Sequence, residues 1–104
     1  MYKIYIRNAR RRGESLVGFM VLEEFLELIK RNCWFCDRTP EQAKGMGVDR
    51  IDNSQGHIHG NIEACCGICN RMRMDSSVES FLEQCETIIE NKKRKDVLCQ
   101  QQKL

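Results

Sequence analysis

Apolar and polar positions recur along this chain with two different periods, and each predicts its own kind of element. From about Val21 to Arg31, the residues Val21, Leu22, Phe25, Leu26, Leu28 and Ile29 fall on one broad face opposite Glu23, Glu24 and Glu27. That is the spacing of an amphipathic helix, and Lys30 and Arg31 close it where the helix dipole favours cations. A second helical stripe, Val78, Phe81, Leu82, Cys85, Ile88 and Ile89, follows Ser76 and Ser77, where S-S-V-E offers a cap with Glu79 reaching back. Val48–Ile51 and about His57–Ala64 read as short strands joined by the turn-rich connector DNSQG. A helix starting near Cys66 carries Asn70, Arg71 and Arg73. The first thirteen residues fit two patterns. Tyr2, Ile4 and Ile6 alternate as in a strand, whereas the run to Gly13 suits a short helix with a glycine stop, and helix is the reading adopted. Residues 32–47 (NCWFCDRTPEQAKGMG) hold a cysteine pair, the only proline and two glycines, and read as a knuckle followed by a loop.

No repeat or linker divides the chain, so residues 1–104 are expected to form one α+β domain. Its parts are a basic N-terminal segment and helix (1–31), knuckles and a central hairpin-and-helix core (32–75), a C-terminal helix (76–95) and a fraying tail (96–104). With 104 residues and 41% hydrophobic content, the chain supports a modest core. It lacks any apolar run of about 18 residues, which excludes a spanning helix. The N-terminus has charge but no apolar stretch leading to a cleavage site, so a soluble, intracellular, non-secreted protein is expected. The net charge of +2 conceals blocks of one sign: Lys3, Arg7, Arg10, Arg11 and Arg12, then Arg71 and Arg73, then Lys92–Lys95. Blocks of this kind suit a polyanion, although the last also reads as plain solvated charge.

Seven cysteines are many for this length, and in a reducing compartment paired cysteines more often hold metal than form disulfides. Cys33-x-x-Cys36 and Cys66-x-x-Cys69 are two pairs of equal spacing, with 29 residues between Cys36 and Cys66. Each pair lets two thiolates from one tight turn bind the same ion, and two turns complete a tetrahedron suited to structural zinc. An iron–sulfur cluster or a redox pair are the alternatives. Cys65 competes with Cys66, but only Cys66 keeps the two-residue spacing to Cys69. Cys85 reads as a small buried hydrophobe and Cys99 as a tail thiol. Four-cysteine zinc has no open position, so by itself it predicts only a stapled nucleic-acid-binding module.

The segment VDRIDNSQGHIHGNIEACCGICNRMRMD, Val48 to Asp75, resembles the HNH endonucleases (His-Me finger or ββα-metal nucleases), in the zinc-stapled branch that includes phage and viral enzymes. The resemblance extends weakly over most of the chain. It implies a small zinc-bound ββα-metal core with flanking helices, and a metal-dependent DNA endonuclease or nickase leaving a 5′ phosphate. Carried over by position, the metal-binding aspartate falls on Asp49, the structural asparagine on Asn61, and the second metal ligand on Asn70. A carboxylate and an amide oxygen suit Mg²⁺ or Mn²⁺. The departure is Arg50, where the family usually has the general-base histidine; guanidinium stays protonated and offers no acceptor. Three readings follow: His59 or His57 supplies the base, Arg50 itself holds the phosphate and the reaction runs with little base assistance, or the fold has become a non-catalytic binder. A shared strand would point His57 and His59 to one face. His57 also reads as a stand-in for an aromatic, and Asp52 as a turn cap. Arg73, one turn from Asn70, is expected near the scissile phosphate, with Arg71 and Arg10–Arg12 as further backbone contacts. Trp34 and Phe35 are expected to pack on the zinc site.

Overall fold

The computed structural model describes residues 1–102. In order along the chain these form α1 (Tyr2–Arg11), α2 (Leu22–Leu28), β1 (Gly47–Arg50), β2 (Ile62–Cys65), α3 (Gly67–Arg73) and α4 (Val78–Gln102). The apparent alternation at the N-terminus does not make a strand: Ile4 is exposed, and Tyr2, Tyr5 and Ala9 share the inner face of a helix. Two phenols fasten that face. The Tyr2 hydroxyl donates to the Met20 carbonyl (2.7 Å), and the Tyr5 hydroxyl accepts from the Val48 amide on β1 (2.9 Å). A side chain at Gly47 would put its Cβ 2.8 Å from the Tyr5 oxygen, so glycine at the start of β1 is what lets α1 dock.

β1 and β2 form an antiparallel pair in the register Gly47–Cys65, Val48–Ala64, Asp49–Glu63 and Arg50–Ile62. One side packs on a cluster of Met20, Phe25, Leu28, Val48 and Ile62. Against that cluster the Phe25 ring meets both tyrosines at centroid distances of 5.4 and 5.5 Å, and full burial of such a side chain contributes about 1.5–3 kcal/mol. A second cluster gathers Met46, Ala64, Cys65 and three of the paired cysteines. Only Phe25 and Leu28 of the expected α2 stripe are buried, while Val21, Leu22 and Leu26 stay exposed.

Three expectations need correction. The second strand begins at Ile62, not His57, because the Asn61 amide bonds back to the Ile58 carbonyl (3.0 Å) and Gly60 takes a left-handed φ of 87°. That turn breaks the period of two: His57 is buried against Glu14, and His59 is exposed. The C-terminal helix does not end at Lys95 with a fraying tail from 96 but continues to Gln102. Residues 78–102 contain neither glycine nor proline and are rich in good helix formers, with a Lys92–Asp96 pair at 2.8 Å on the surface. Its cap is Ser77 Oγ accepting from the Ser80 amide (3.1 Å), with Glu79 simply in the first turn. Residues 103 and 104 of the expected tail lie outside the described residues. No helix among the described residues is long and apolar enough to cross a membrane.

Candidate metal centre and nucleic-acid cleft

The sulfurs of Cys33, Cys36, Cys66 and Cys69 all lie within 4.8 Å of one another. A tetrahedral ion with metal–sulfur bonds of about 2.3 Å needs sulfur–sulfur edges of roughly 3.8 Å, and Cys36 Sγ stands 3.7 Å from Cys66 Sγ. Backbone amides already point at these sulfurs: Cys66 N–H to Cys33 Sγ and Cys69 N–H to Cys66 Sγ, both 3.4 Å. Cys36 is drawn down to about 6, against the opposing effect of burial, by the amide and guanidinium of Arg38 and by neighbouring thiols. Burial, then the Cys66 and Cys36 sulfurs, push Cys69 far up. Four thiolates this close repel unless a cation sits among them, so the donor set fits a metal ion such as zinc. Cys65 is not one of the four converging sulfurs, and burial followed by the charge of Asp49 pushes its thiol up to about 12. Trp34 is half exposed, meeting Phe35 edge-on (5.1 Å), and it is Phe35 that packs on the quartet's cluster.

Beside β1 lies an open cleft of about 510 Å³. Asp49 and Arg50 from β1, Asn70 from α3, Asn8 and Arg12 at the end of α1, and His57 line it. The quartet sets this geometry, since Cys69 holds α3 beside the hairpin and Asn70 follows it directly. Asn70 is exposed. Arg50 donates through Nη1 to the Asn53 and Gln55 carbonyls (3.2 and 3.3 Å). Asn61 is buried and acts as a clamp. Its Oδ1 accepts from the Asp52 amide (2.9 Å), while Nδ2 donates to the Asp52 and Gly56 carbonyls (3.0 and 2.9 Å). Asp52 Oδ1 accepts from the Ser54 amide and hydroxyl, and those bonds hold its carboxyl below the usual range.

Arg73 overturns its expectation most clearly. Its side chain is fully buried and donates to Asp49 Oδ2 (2.8 Å), to the carbonyls of Arg50, Ile51 and Ser76, and to Asn53 Oδ1. With every direction used, it cannot face a phosphate; it pins Asp49 and the following loop to α3. His59 is also misplaced by the expectation: its side chain is 90% exposed, pairs with Glu24 (2.5 Å) and does not line the cleft. Arg71 is exposed on α3, and Arg10 and Arg11 line a shallow basic surface with Lys3 and Arg7 on the outer face of α1. Glu14 escaped the sequence reading altogether. No spacing rule connects it to His57, 43 residues away, yet its Oε1 accepts from the His57 amide (2.7 Å) and lies 3.1 Å from His57 Nδ1.

No protein-family model matches the chain. In fold it is similar to the solved structure of the rare-cutting HNH restriction endonuclease PacI, with a TM-score of 0.65 over 86% of this chain and 75% of that one, at 21% identity. The fold is HNH-like. Over 66 residues, 64% of this chain, it is also 38% identical to the uncharacterized protein R423 of Acanthamoeba polyphaga mimivirus. The chain spans only 12% of that viral protein's length.

Proposed function

We propose that this HNH-like domain is a metal-dependent endonuclease or nickase acting on DNA, stapled by structural zinc at Cys33, Cys36, Cys66 and Cys69. One observation carries the reading: Asp49, Arg50 and Asn70 line a single open cleft, flanked by Arg12 and by the basic face of α1. Asp49 and Asn70 are the residues that would hold Mg²⁺ or Mn²⁺. Each Asp49 oxygen accepts one protein donor, from the Arg50 amide or Arg73, so each keeps a lone pair for a hard cation. Bound there, the ion would supply Lewis-acid stabilisation of charge on the phosphate and the departing 3′ oxygen.

The chain's own residues do the rest. Arg50 spends only Nη1 on the loop carbonyls, leaving Nη2 and Nε to orient a phosphate oxygen. Arg73 fixes the Asp49 carboxylate in place from behind, and Asn61 holds the loop that follows. Arg10, Arg11, Arg12 and Arg71 track the backbone without reading bases, which implies weak sequence preference and steep salt dependence.

A second reading, a zinc-stapled module that binds nucleic acid without cutting it, draws on a specific feature: Asp49 already has a guanidinium partner in Arg73. Nicking of supercoiled plasmid by zinc-loaded protein separates the two. With Mg²⁺ or Mn²⁺, wild type should nick and Asp49→Asn should lose about a hundredfold or more, since Lewis-acid stabilisation is worth several kcal/mol. Salt-sensitive binding without metal-dependent nicking would establish the module instead.

A further inference from the structure

We propose that His57 is the general base of this cleft and Glu14 its positioning residue, an assignment that rests on the nuclease reading above. Arg50 cannot take a proton, and His59 points away, so the cleft's base has to come from elsewhere. His57 comes from the loop before β2 and reaches the cleft that Asp49, Arg50 and Asn70 line. Its ring is held on three sides. Tyr5 meets it edge-on at 5.6 Å, Phe19 packs at 5.8 Å, and Glu14 Oε1 takes Nδ1.

The carboxylate decides the tautomer. Burial works to raise the Glu14 pKa, but bonds from Arg12 and from the His57 amide and ring outweigh it and leave the group low and ionised. An ionised carboxylate only accepts, so Nδ1 carries the hydrogen and Nε2 carries the lone pair. That Nε2 has no protein partner among the described residues, and it is not among the buried atoms left unpaired; it therefore opens to the cleft. Glu14 is closely fitted for this role. A Cβ on Gly56 would fall 2.5 Å from its Oε1 and 3.2 Å from two of its carbons. Burial lowers the His57 pKa, as do the charges of Arg50 and Arg12, while Glu14 raises it, so the ring is neutral near pH 7 and its protonated form still has a counter-ion.

In the step, Nε2 takes one proton from a water in the cleft as that water's oxygen bonds to phosphorus. The bond from phosphorus to the 3′ oxygen breaks, its electron pair stays on that oxygen, and a solvent proton completes the 3′ hydroxyl. The imidazolium then returns its proton to solvent. Water alone is consumed.

The test is single-turnover nicking of supercoiled plasmid by zinc-loaded protein with Mg²⁺, across pH 5–9, together with NMR titration of the two histidine rings. His57→Phe, which keeps an aromatic between Tyr5 and Phe19, should slow cleavage about 10²- to 10⁴-fold and abolish the acid limb of the pH profile. DNA binding should stay unchanged. In wild type the midpoint of that limb should coincide with the His57 titration. Glu14→Gln should move both midpoints together to lower pH, because it removes the charge that raises the ring's affinity for protons. A purely structural role for Glu14 would leave the midpoints apart or unmoved. If His57→Phe or, should that variant not fold, His57→Gln cuts at the wild-type rate with the same acid limb while Asp49→Asn does not cut, the assignment is overturned and the nuclease stands. If wild type shows no Asp49-dependent cleavage, both fall.

Discussion

The cysteine quartet and the cleft at Asp49 are both built around one two-stranded sheet and α3, and they balance negative charge in contrasting ways. Among the described residues, Arg38 alone donates a side-chain cation to the quartet, at 3.2 Å from Cys36 Sγ, and the remaining sulfurs crowd each other. Around Asp49 the chain supplies its own counter-charge in Arg73, fully buried, with Arg50 and Arg12 at the rim. The first arrangement leaves most of its sulfurs without a counter-charge from the chain, whereas the second carries its own.

The largest effect is expected from removing any ion held at the quartet. Structural zinc contributes about 10–16 kcal/mol in isolated finger peptides, so chelation or Cys66→Ser should abolish the cooperative thermal transition followed by circular dichroism. A metal-free chain that melts like the loaded one would mean the quartet is not a folding site. Arg73→Met comes next. Removing one partner of a buried ion pair costs about 3–5 kcal/mol, which urea unfolding should report as a loss of stability with the quartet's zinc content unchanged. If the loss is below about 1 kcal/mol, Arg73 is not the pin its contacts describe.

A smaller effect is expected from acid. Burial depresses the His57 pKa in the fold, so the native ring stays neutral where the unfolded one takes up a proton near its ordinary value of about 6.5. Its contribution is whole above that pH and is lost as the pH falls. Melting temperatures at pH 7.5 and 5.5 should therefore diverge less in His57→Phe than in wild type, once zinc loss is matched with excess metal. Equal divergence would remove His57 from the acid response. Arg71→Ala should matter least: binding weakens alike for all sequences, and the slope of log affinity against log salt falls by about 1. An unchanged slope would take α3 out of the nucleic-acid surface.

Arg73 and Glu14 mark where reading from the chain ends. Each lies within or beside a basic block, and local spacing put Arg73 on the same face as Asn70. In an isolated helix, residues three apart do share a face. Here α3 packs on the Arg50–Asn53 segment, where unpaired carbonyls and the Asp49 carboxylate draw the Arg73 guanidinium inward. The histidines failed for a related reason: one left-handed glycine converted a strand period into a turn.

Local patterns were legible along the chain: two equal cysteine spacings, the amphipathic face around Phe25 and the D-R-I-D-N…G-N segment, enough to state an HNH-like α+β fold before any coordinates. These are short-range signals, carried by residues a few positions apart. Tertiary structure alone decided which charged side chains are buried and which reach the cleft. Burial of Arg73, the pairing of Glu14 with His57 and the outward turn of His59 depend on contacts between segments 20 to 43 residues apart. No periodicity encodes such contacts, because they arise only when packing brings a donor against carbonyls or a carboxylate that would otherwise be left unpaired.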